Sequence, residues 1–537
     1  MRKKYLSAVA LVAAMAAAST ASATALLVKQ VPAAVAAHRA ALASHLDPST
    51  HMQMQVVLPM RNKEKLRDLL GALYNPQSPL YRHWLSVAEF TSQFGPTQKD
   101  YDAAMAFFAS NGLSVTHTFA NRYMFQVEGR ASDVERVLNV HLNNYKHPTQ
   151  NRTFFAPDRE PTLSLKSPVQ DITGLDNYVL PYTKLRYPDQ SRGHRAGAGG
   201  SGPGGWFIGS DMRAAYYGTG KKAKLDGSGQ SVGLLELGPY NPNDVTLYFT
   251  TLGHTNNTAV NGIAVGGGQA TCSGCEDGEQ MLDIVYPIEM APGLDQVQVY
   301  VGRDPVAVEN QMATDNVSKQ LSTSWGYSEK FATEDAIYQE MAAQGQSYFT
   351  ASGDYSTLQA SGPWPEEDAN IIAVGGTDLV TDGPGGPWKS EPGWPDSAAG
   401  PSLDHNILIE SYQLPYINKK NLGDKTYRNV ADISANGQLF FACDQGRCEG
   451  GWAGTSFSSP IWAGFTALMN QFAAKKGKPT VGFLNPTAYA LYKGNNKMFH
   501  DVVGNKSGIY PAVKGYDLVG GLGSPNGQKT IKAVVGK

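Results

Sequence analysis

Ser456 lies in a sequence context that suits a catalytic nucleophile. It follows Gly454 and stands just before a predicted apolar helix, where backbone N–H groups can hold a developing oxyanion. Serine is also a common helix N-cap, so the motif alone leaves a purely structural role open. A serine nucleophile needs a neighbouring base to take its proton. Ser456 would therefore need a nearby group that can act as this base.

Carboxylates, rather than histidines, are the better candidates for the base. The second half of the sequence contains only three histidines, and none occurs in the His-Gly-Thr-His setting of subtilisin-type proteases; they are His254, His405 and His500. Glu279 and Asp283 lie four residues apart in a predicted helix, so their carboxyl groups share one face. Two close carboxyls can share a proton, which would let Glu279 act as a base in acid. A solvated acidic helix start is the structural alternative.

Asp354 stands where α/β enzymes commonly place active-site groups. It follows a predicted buried strand in the segment Ser352-Gly-Asp354. A protonated aspartic acid can donate a hydrogen bond to an oxyanion, whereas an ionised one cannot. Aspartate after glycine is also an ordinary turn residue. Glu236, at the end of another predicted strand, has no partner histidine, and we assign it a structural role.

The elements that must position these residues form a regular alternation. Short apolar strands alternate with helical patterns through the second half, which predicts an α/β fold with a parallel sheet flanked by helices. The predicted strands are 231–235, 296–300, 320–324, 347–351 and 370–374, and the predicted helices are 278–290, 334–344 and 458–475.

Composition and charge both change near residue 189. Only 5 of the 57 glycines precede it, and all 4 cysteines follow it. Residues 24–205 carry a net charge of +5 and residues 206–537 one of −10, which argues against nucleic acid as a partner of the second half. Residues 26–188 show the mixed patterns of a small α+β domain. The glycine-rich segment 189–205 predicts a flexible linker in which Arg192 and Arg195 could be cut.

The first residues have the pattern of a secretory signal. Basic residues precede an apolar run and the small residues Ala21-Ser22-Ala23, which predicts cleavage after Ala23. No later stretch has about 18 uninterrupted apolar residues, so we expect no transmembrane helix and a secreted or periplasmic protein. In an oxidising compartment the four cysteines should form two local disulfides, Cys272–Cys275 and Cys443–Cys448, although cross-pairing of the two loops stays open.

Taken together, the motifs resemble the sedolisin family of serine-carboxyl peptidases. The resemblance implies a subtilisin-like fold after a small ferredoxin-like activation propeptide. It implies Ser456 as nucleophile, Glu279 as general base, Asp283 as the group that orients Glu279, and Asp354 as the oxyanion stabiliser. It is carried by Glu279-x-x-x-Asp283, Ser322-Thr-Ser-Trp-Gly326, Ser352-Gly-Asp354, Gly454-Thr-Ser456, residues 428–435 with Ala431 in place of the family's proline, and residues 78–85 and 90–95.

The same resemblance implies one structural calcium ion near the carboxyl terminus. Asp501 and Asp517 would supply carboxylates, and Val502, Val513 and Gly515 would supply main-chain carbonyls. Hard oxygen ligands of this kind suit Ca²⁺. The family usually has glycine where Val513 stands, which makes that ligand the least secure. Two ordinary loop aspartates are the alternative.

These observations predict a secreted, acid-acting endopeptidase that is made as a zymogen. The predicted parts are a signal peptide (1–23), an activation propeptide (24–188), a linker with a processing region (189–205) and a peptidase domain (206–537). Its partners would be peptide substrates and its own propeptide, acting as inhibitor and chaperone, with no nucleic acid, no membrane and a monomeric state. A histidine-dependent subtilisin-type protease and an inactive binding relative are the alternatives. The charge difference predicts that acid weakens the pairing of the two domains.

Overall fold

The computed structural model describes residues 25–27, 29–188, 199–328, 330–331, 333–493 and 497–536. The predicted signal peptide and most of the predicted linker, with Arg192 and Arg195, lie outside the described residues. Within them, a small N-terminal domain packs on a larger α/β domain. Among the described helices, none has the length and apolar character that crossing a membrane requires.

A four-stranded antiparallel sheet forms the centre of the N-terminal domain. In spatial order its strands are Ser114–Thr118, Met124–Arg130, His51–Val57 and Asp171–Thr173. Numbered along the chain, this order is 2-3-1-4, which with the intervening helices gives the ferredoxin-like arrangement that was predicted. The helices are Ala33–Ala36, Lys63–Leu73, Val87–Gln93, Gln98–Ser110 and Ala131–Leu138, and a second sheet contains Ala41–His45, Leu142–Lys146 and Thr153–Pro157.

Local capping explains where two of these helices begin. The Ser86 hydroxyl accepts a hydrogen bond from the Glu89 N–H, and the Glu89 carboxylate accepts one from the Ser86 N–H, which forms a reciprocal capping box. Thr97 caps the next helix by accepting a hydrogen bond from the Asp100 N–H. These caps fix the start of the two helices that follow residues 78–85 in the chain.

A seven-stranded parallel sheet forms the core of the larger domain. In spatial order its strands are Ala259–Ala264, Gln296–Val301, Ser231–Glu236, Gln320–Thr323, Ser347–Ala351, Ile372–Thr377 and Ile433–Asn436. All five predicted strands are present, and the parallel α/β prediction is confirmed. The edge strand Ala259–Ala264 and the short strand Ile433–Asn436 were not predicted.

Helices cover both faces of this sheet. They are Gly209–Tyr216, Pro242–Leu252, Gly278–Met290, Pro305–Asp315, Glu334–Ala343, Leu358–Ser361, Thr455–Lys475, Leu484–Tyr492 and Gly527–Val535, with short 3-10 turns at Pro203–Gly205, Gly220–Lys222 and Leu414–Tyr416. The helix Gly278–Met290 has the predicted bounds.

The prediction that the second long helix starts at residue 458 was wrong. The helix begins at Thr455, so Ser456 lies in its first turn rather than before it. Pro460 lies inside this helix, and proline cannot donate a hydrogen bond to the carbonyl four residues earlier. That carbonyl belongs to Ser456, and it accepts a hydrogen bond from the Ser324 hydroxyl instead (3.2 Å).

Small hairpins and two disulfides complete the larger domain. Cys443–Cys448 joins the hairpin strands Phe440–Asp444 and Arg447–Trp452, and Cys272–Cys275 closes a second short loop. Both predicted local disulfides are therefore present, and cross-pairing is not. Further two-residue strand pairs are Ala25–Leu26 with Thr162–Leu163, Tyr182–Thr183 with Trp325–Gly326, Gly400–Pro401 with Asn429–Val430, Phe499–His500 with Ser524–Pro525, and Lys506–Ser507 with Tyr510–Pro511; Val380–Thr381 pairs with Trp388–Ser390.

The segment 78–85, one of those that carry the family resemblance, contacts the larger domain. The indole ring of Trp84 packs against Gly345, where an added Cβ would lie only 2.5 Å from the ring. Nearby, the Tyr74 hydroxyl donates a hydrogen bond to the Ala342 carbonyl (2.7 Å). A bulky aromatic side chain against glycine backbone makes this contact specific in shape as well as apolar.

Candidate active site

The candidate site lies where three neighbouring strands of the parallel sheet end. Glu236 is the last residue of its strand, Ser324 follows the next strand, and Asp354 lies shortly after the third. The helices Gly278–Met290 and Thr455–Lys475 pack against each other beside these strand ends. Their first turns bring two further polar side chains to the same place.

Ser456 and Glu279 lie in direct contact. The Ser456 hydroxyl donates a hydrogen bond to Glu279 Oε2 at 3.0 Å, and both side chains are buried. Burial and the nearby Asp283 carboxyl raise the pKa of Glu279 well above its ordinary value. A carboxylate at this distance can accept the serine proton as the hydroxyl attacks.

A row of carboxyl groups continues behind Glu279. Asp283 Oδ1 accepts a hydrogen bond from the Ser324 hydroxyl (2.8 Å), and burial raises the pKa of Asp283 to about 8. The Glu236 carboxyl shares a hydrogen bond with Asp283 and accepts another from the Trp325 indole (2.9 Å). Three carboxyls so placed can share protons rather than titrate singly.

Glu236 is the residue of this site that sequence reasoning missed. It was assigned a structural role because no histidine accompanies it, but the structure places it beside Asp283. Burial and the Asp283 charge raise the pKa of Glu236 well above its usual range. Its position at the carboxyl end of a central strand was the one signal in the sequence that could have identified it.

Asp354 lies on the other side of Ser456. Its Oδ1 atom accepts hydrogen bonds from the Thr455 N–H and hydroxyl, both at 2.8 Å. Its Oδ2 atom is buried and has no hydrogen-bond partner among the described residues. Burial raises the pKa of Asp354 to about 7. Gly454 (φ 148°) leaves room for Oδ2, since an added Cβ would lie 2.9 Å from it.

The three histidines of the larger domain are engaged elsewhere. His254 Nδ1 lies 2.8 Å from the Glu289 carboxyl, and His405 stacks on the ring of Tyr427. His500 stacks on Trp388, and burial lowers the pKa of His500 to about 4. None of these contacts involves Ser456, so the geometry gives no support to a histidine-dependent mechanism.

The chain segment that precedes the predicted linker runs through this site. Tyr182–Thr183 forms an antiparallel pair with Trp325–Gly326, and the Lys184 N–H donates a hydrogen bond to the Ser324 carbonyl (2.9 Å). The segment thereby adds a short strand along one edge of the cleft.

Beyond Lys184 the segment continues along the opposite side of the site. Arg186 and Ala453 exchange two backbone hydrogen bonds, of 2.7 and 3.1 Å, and the Arg186 guanidinium pairs with Asp396. Between these two anchored stretches, the Lys184 carbonyl accepts a hydrogen bond from the Ser456 N–H (3.2 Å) and lies in contact with Ser456 Oγ. A peptide carbonyl thus lies directly against the candidate nucleophile.

The five predicted calcium ligands lie in two adjacent loops near the carboxyl terminus. Asp517 is fully buried, and it accepts backbone hydrogen bonds from the N–H groups of Val513, Val519 and Gly520. Asp501 accepts a hydrogen bond from the Gly515 N–H (3.1 Å), which joins the loops. Two neighbouring carboxylates with adjacent main-chain carbonyls are a donor set that fits a hard cation such as Ca²⁺.

Both parts of this chain are similar to domains of known proteins. The family model "Pro-kumamolisin, activation domain" matches residues 38–178, and the model "Subtilase family" matches residues 288–493. Kumamolisin from Bacillus sp. is 26% identical over 85% of this chain and 87% of its own length, and sedolisin from Pseudomonas sp. is 26% identical over 92% and 89%. Xanthomonalisin from Xanthomonas sp. is 25% identical over 89% of this chain, which spans 65% of that protein's length. Over most of its length, this chain is similar to the sedolisin family of serine-carboxyl peptidases.

A solved sedolisin structure supports the fold assignment. Pseudomonas sedolisin, solved with two molecules of pseudo-iodotyrostatin, matches 60% of this chain and 96% of its own with a TM-score of 0.52 and 24% identity. This likeness shows the subtilisin-like fold. The two family models and the named relatives identify the chain as a serine peptidase precursor with an N-terminal activation domain. A sedolisin-family relative from Aspergillus fumigatus, 24% identical over 90% of this chain, is named a tripeptidyl-peptidase.

The structure brings all four predicted catalytic residues into one site. Ser456, Glu279 and Asp283 form a continuous series, and Asp354 lies across from Glu279. The roles assigned to them remain predictions, which the experiments proposed below address. Glu236 is the addition that the structure makes.

Proposed function

We propose that this protein is an exported endopeptidase that acts in acid and is held inactive by its own N-terminal domain. Ser456 is the nucleophile, Glu279 the general base, Asp283 the group that orients Glu279, and Asp354 the oxyanion stabiliser. Residues 24–188 form the activation propeptide, and residues 206–537 form the peptidase domain. The protein acts on peptide substrates as a monomer, without nucleic acid or membrane partners.

The observation that carries this proposal is the path of the segment through the cleft. A carbonyl of the chain contacts Ser456, and the backbone is held on both sides of it. Three residues, from Tyr182 to Lys184, pair with the edge formed by Ser324 and Trp325–Gly326. The chain does not begin at Tyr182, because Pro181 precedes it. A cleft that accepts an unbroken chain favours an endopeptidase over an enzyme that requires a free amino group three residues before the bond.

The residues support a two-step acyl transfer. Ser456 Oγ attacks the peptide carbonyl carbon while Glu279 takes its proton, and the resulting oxyanion accepts hydrogen bonds from the Ser456 N–H and the protonated Asp354. Glu279 then returns the proton to the leaving amine, and the peptide bond breaks. Water, deprotonated by Glu279, attacks the acyl-serine, and Glu279 returns that proton to Ser456 Oγ as the ester bond breaks and the second product leaves. The row from Glu279 through Asp283 to Glu236 shares the remaining protons.

Acid action and export rest on separate observations. Asp354 must carry a proton to donate a hydrogen bond, and its pKa of about 7 favours this state below neutrality. The amino-terminal segment has the pattern of a secretory signal, which favours secretion or a periplasmic location. The net charges of +5 and −10 favour association of the two domains near neutral pH and weaker association in acid.

Peptides with a blocked amino terminus test the proposal. The self-processed enzyme should cleave an acetylated, internally quenched peptide of about ten residues at pH 4–6, and Ser456→Ala, freed of its propeptide by an added protease, should not. Mass spectrometry locates the cut bond. Release of tripeptides from unblocked peptides, with no cleavage of the acetylated peptide, would contradict the endopeptidase assignment.

Calcium is proposed to stabilise the peptidase domain rather than to take part in the reaction. Asp501, Val502, Val513, Gly515 and Asp517 would hold one ion and so tie the two loops together. Chelation should lower the melting temperature of the mature enzyme by about 5 °C or more, because a ligand at 100 times its Kd contributes about 2.7 kcal/mol.

Thermal unfolding with and without a chelator measures this effect. Added Ca²⁺ should restore the melting temperature, and an equal concentration of Mg²⁺ should not. In Asp501→Asn the melting temperature should be low and independent of calcium. An unchanged melting temperature in the chelated wild type would show that the two aspartates are ordinary loop residues.

A further inference from the structure

We propose that the peptidase cleaves after lysine, that Glu366 selects this lysine, and that Lys184–Leu185 is the first bond the precursor cuts in itself. The inference rests on the proposed function, since it names the substrate class of the same site. It differs from the expectation that processing begins in the linker at residues 189–205. The structure carries it through three features: the position of one carbonyl, the pocket below it, and the burial of one ion pair.

The carbonyl of Lys184 occupies the place where the attacked carbonyl belongs. It accepts a hydrogen bond from the Ser456 N–H at 3.2 Å and contacts Ser456 Oγ. A Cβ added to Gly454 would lie 2.6 Å from this carbonyl oxygen and 2.9 Å from Asp354 Oδ2, so both oxygens face the same small space. The bond next to the attacked carbon is therefore Lys184–Leu185.

The backbone on both sides has the form of a bound substrate. The residues before the carbonyl extend a strand of the cleft, and Arg186 beyond it exchanges two hydrogen bonds with Ala453, three residues before the nucleophile. Hydrogen bonds on both sides of the bond hold it at the nucleophile.

The side chain of Lys184 fills a closed pocket that ends in a carboxylate. Its ammonium group donates a hydrogen bond to the Ala351 carbonyl (2.8 Å) and forms an ion pair with Glu366. The exposed fractions of the two side chains are 1% and 0%. Gly326 forms one wall, where an added Cβ would lie 2.3 Å from Lys184 Cε. The pocket is thus narrow along the lysine stem, and the Glu366 carboxyl lies at its end.

Burial turns this ion pair into a means of selection. An uncharged side chain of similar length would leave the Glu366 carboxyl and the Ala351 carbonyl buried without a donor. Such unpaired groups penalise the wrong ligand more than a missing apolar contact does. We therefore expect lysine to exceed its uncharged isostere norleucine by about 10- to 100-fold in kcat/KM.

A set of matched peptides tests the selection. The peptides share the acetylated sequence around Tyr-Thr-X-Leu-Arg, in which X is lysine, arginine, norleucine or glutamate, and they are cut by the self-processed wild-type enzyme at its optimal pH. Cleavage after X should be fastest for lysine and undetectable for glutamate. Equal kcat/KM values for lysine and norleucine would overturn the proposed selectivity and leave the endopeptidase function intact. No cleavage of any peptide between pH 3 and 8 would count against the proposed function instead.

Replacement of Glu366 tests the residue assigned to selection. In Glu366→Gln the ratio of kcat/KM for the lysine peptide to that for the norleucine peptide should fall to near one. Glu367→Gln is the matched control, because its buried carboxyl accepts hydrogen bonds from Ser402 and Leu403 rather than from the pocket. An unchanged ratio in folded Glu366→Gln would remove Glu366 from the proposal. If neither variant folds, the peptide series on the wild type still decides the selectivity.

A time course of self-processing tests the bond. The earliest fragment of the wild-type precursor should begin at Leu185, as measured by mass spectrometry, with shorter products from the linker following later. Lys184→Met should slow the appearance of this fragment by at least tenfold, and Ser456→Ala should produce none. A first cut within 189–205, with no fragment that begins at Leu185 at any time, would overturn this part of the inference.

Discussion

Glu279→Gln should lower kcat for peptide hydrolysis by about 100- to 10,000-fold, which is the usual contribution of a general base. The glutamine amide has nearly the shape of the carboxyl and can still accept a hydrogen bond from Ser456, but it cannot take the proton. The described histidines of the larger domain cannot replace Glu279 as the base, because they contact other groups. The precursor of this variant should also fail to process itself.

The control variant lies on the same helix. Glu289→Gln changes a buried carboxyl whose partner is His254, away from the nucleophile, and it should keep activity within about twofold of wild type. Single-turnover rates of both variants should be measured after removal of the propeptide by an added protease. The double variant Glu279→Gln with Ser456→Ala should be no worse than Ser456→Ala, because the two residues act as a unit. Activity of Glu279→Gln within tenfold of wild type would exclude Glu279 as the base.

The parts of the fold that could be predicted from the sequence are those with strong local patterns. The helix Gly278–Met290 follows a helical pattern and the central strands are short segments rich in apolar residues, and both lie where the pattern places them. The strand Ala259–Ala264 was missed because it is an edge strand with polar and small residues. The strand Ile433–Asn436 was missed because it has only four residues.

The site was predictable where its residues lie within one motif. Glu279 and Asp283 share a helix face by spacing alone, and Ser456 stands in a recognisable turn. The contact of Glu236 with Asp283 could not be predicted, because it depends on the order of strands in the sheet. Strand order is set by packing across the whole domain, which no local pattern records.

The segment through the cleft was also invisible in the sequence. Tyr182, Thr183, Lys184, Leu185 and Arg186 contain no motif, and together they resemble an ordinary loop. Their position follows from the docking of the N-terminal domain on one side and the edge of the cleft on the other. A substrate-like segment needs only a backbone that can pair and a side chain that fits one pocket.

The activity of the wild-type enzyme should fall as the pH rises through about 7. Burial holds the pKa of Asp354 near this value, and its proton is what allows Oδ2 to donate a hydrogen bond to the oxyanion. The protonated form of Asp354, which donates the hydrogen bond, therefore predominates below pH 7. Above pH 7 its population falls by about tenfold for each further pH unit. Removal of such a donor costs about 100- to 1,000-fold in kcat, which is the loss expected for Asp354→Ala.

Asp354→Asn separates the proton from the side chain. Its Oδ1 can still accept hydrogen bonds from Thr455, and its amide donates at every pH, so kcat should have a lower maximum but no decline near pH 7. Asp382→Asn, an exposed aspartate that pairs with Lys389, is the control and should leave the wild-type profile unchanged. Profiles of kcat from pH 3 to 9 distinguish the three enzymes. Either of two results would show that a protonated Asp354 does not stabilise the oxyanion. One is a maximum of kcat near pH 8 in the wild-type enzyme, and the other is an Asp354→Asn variant whose kcat and pH profile equal those of the wild type.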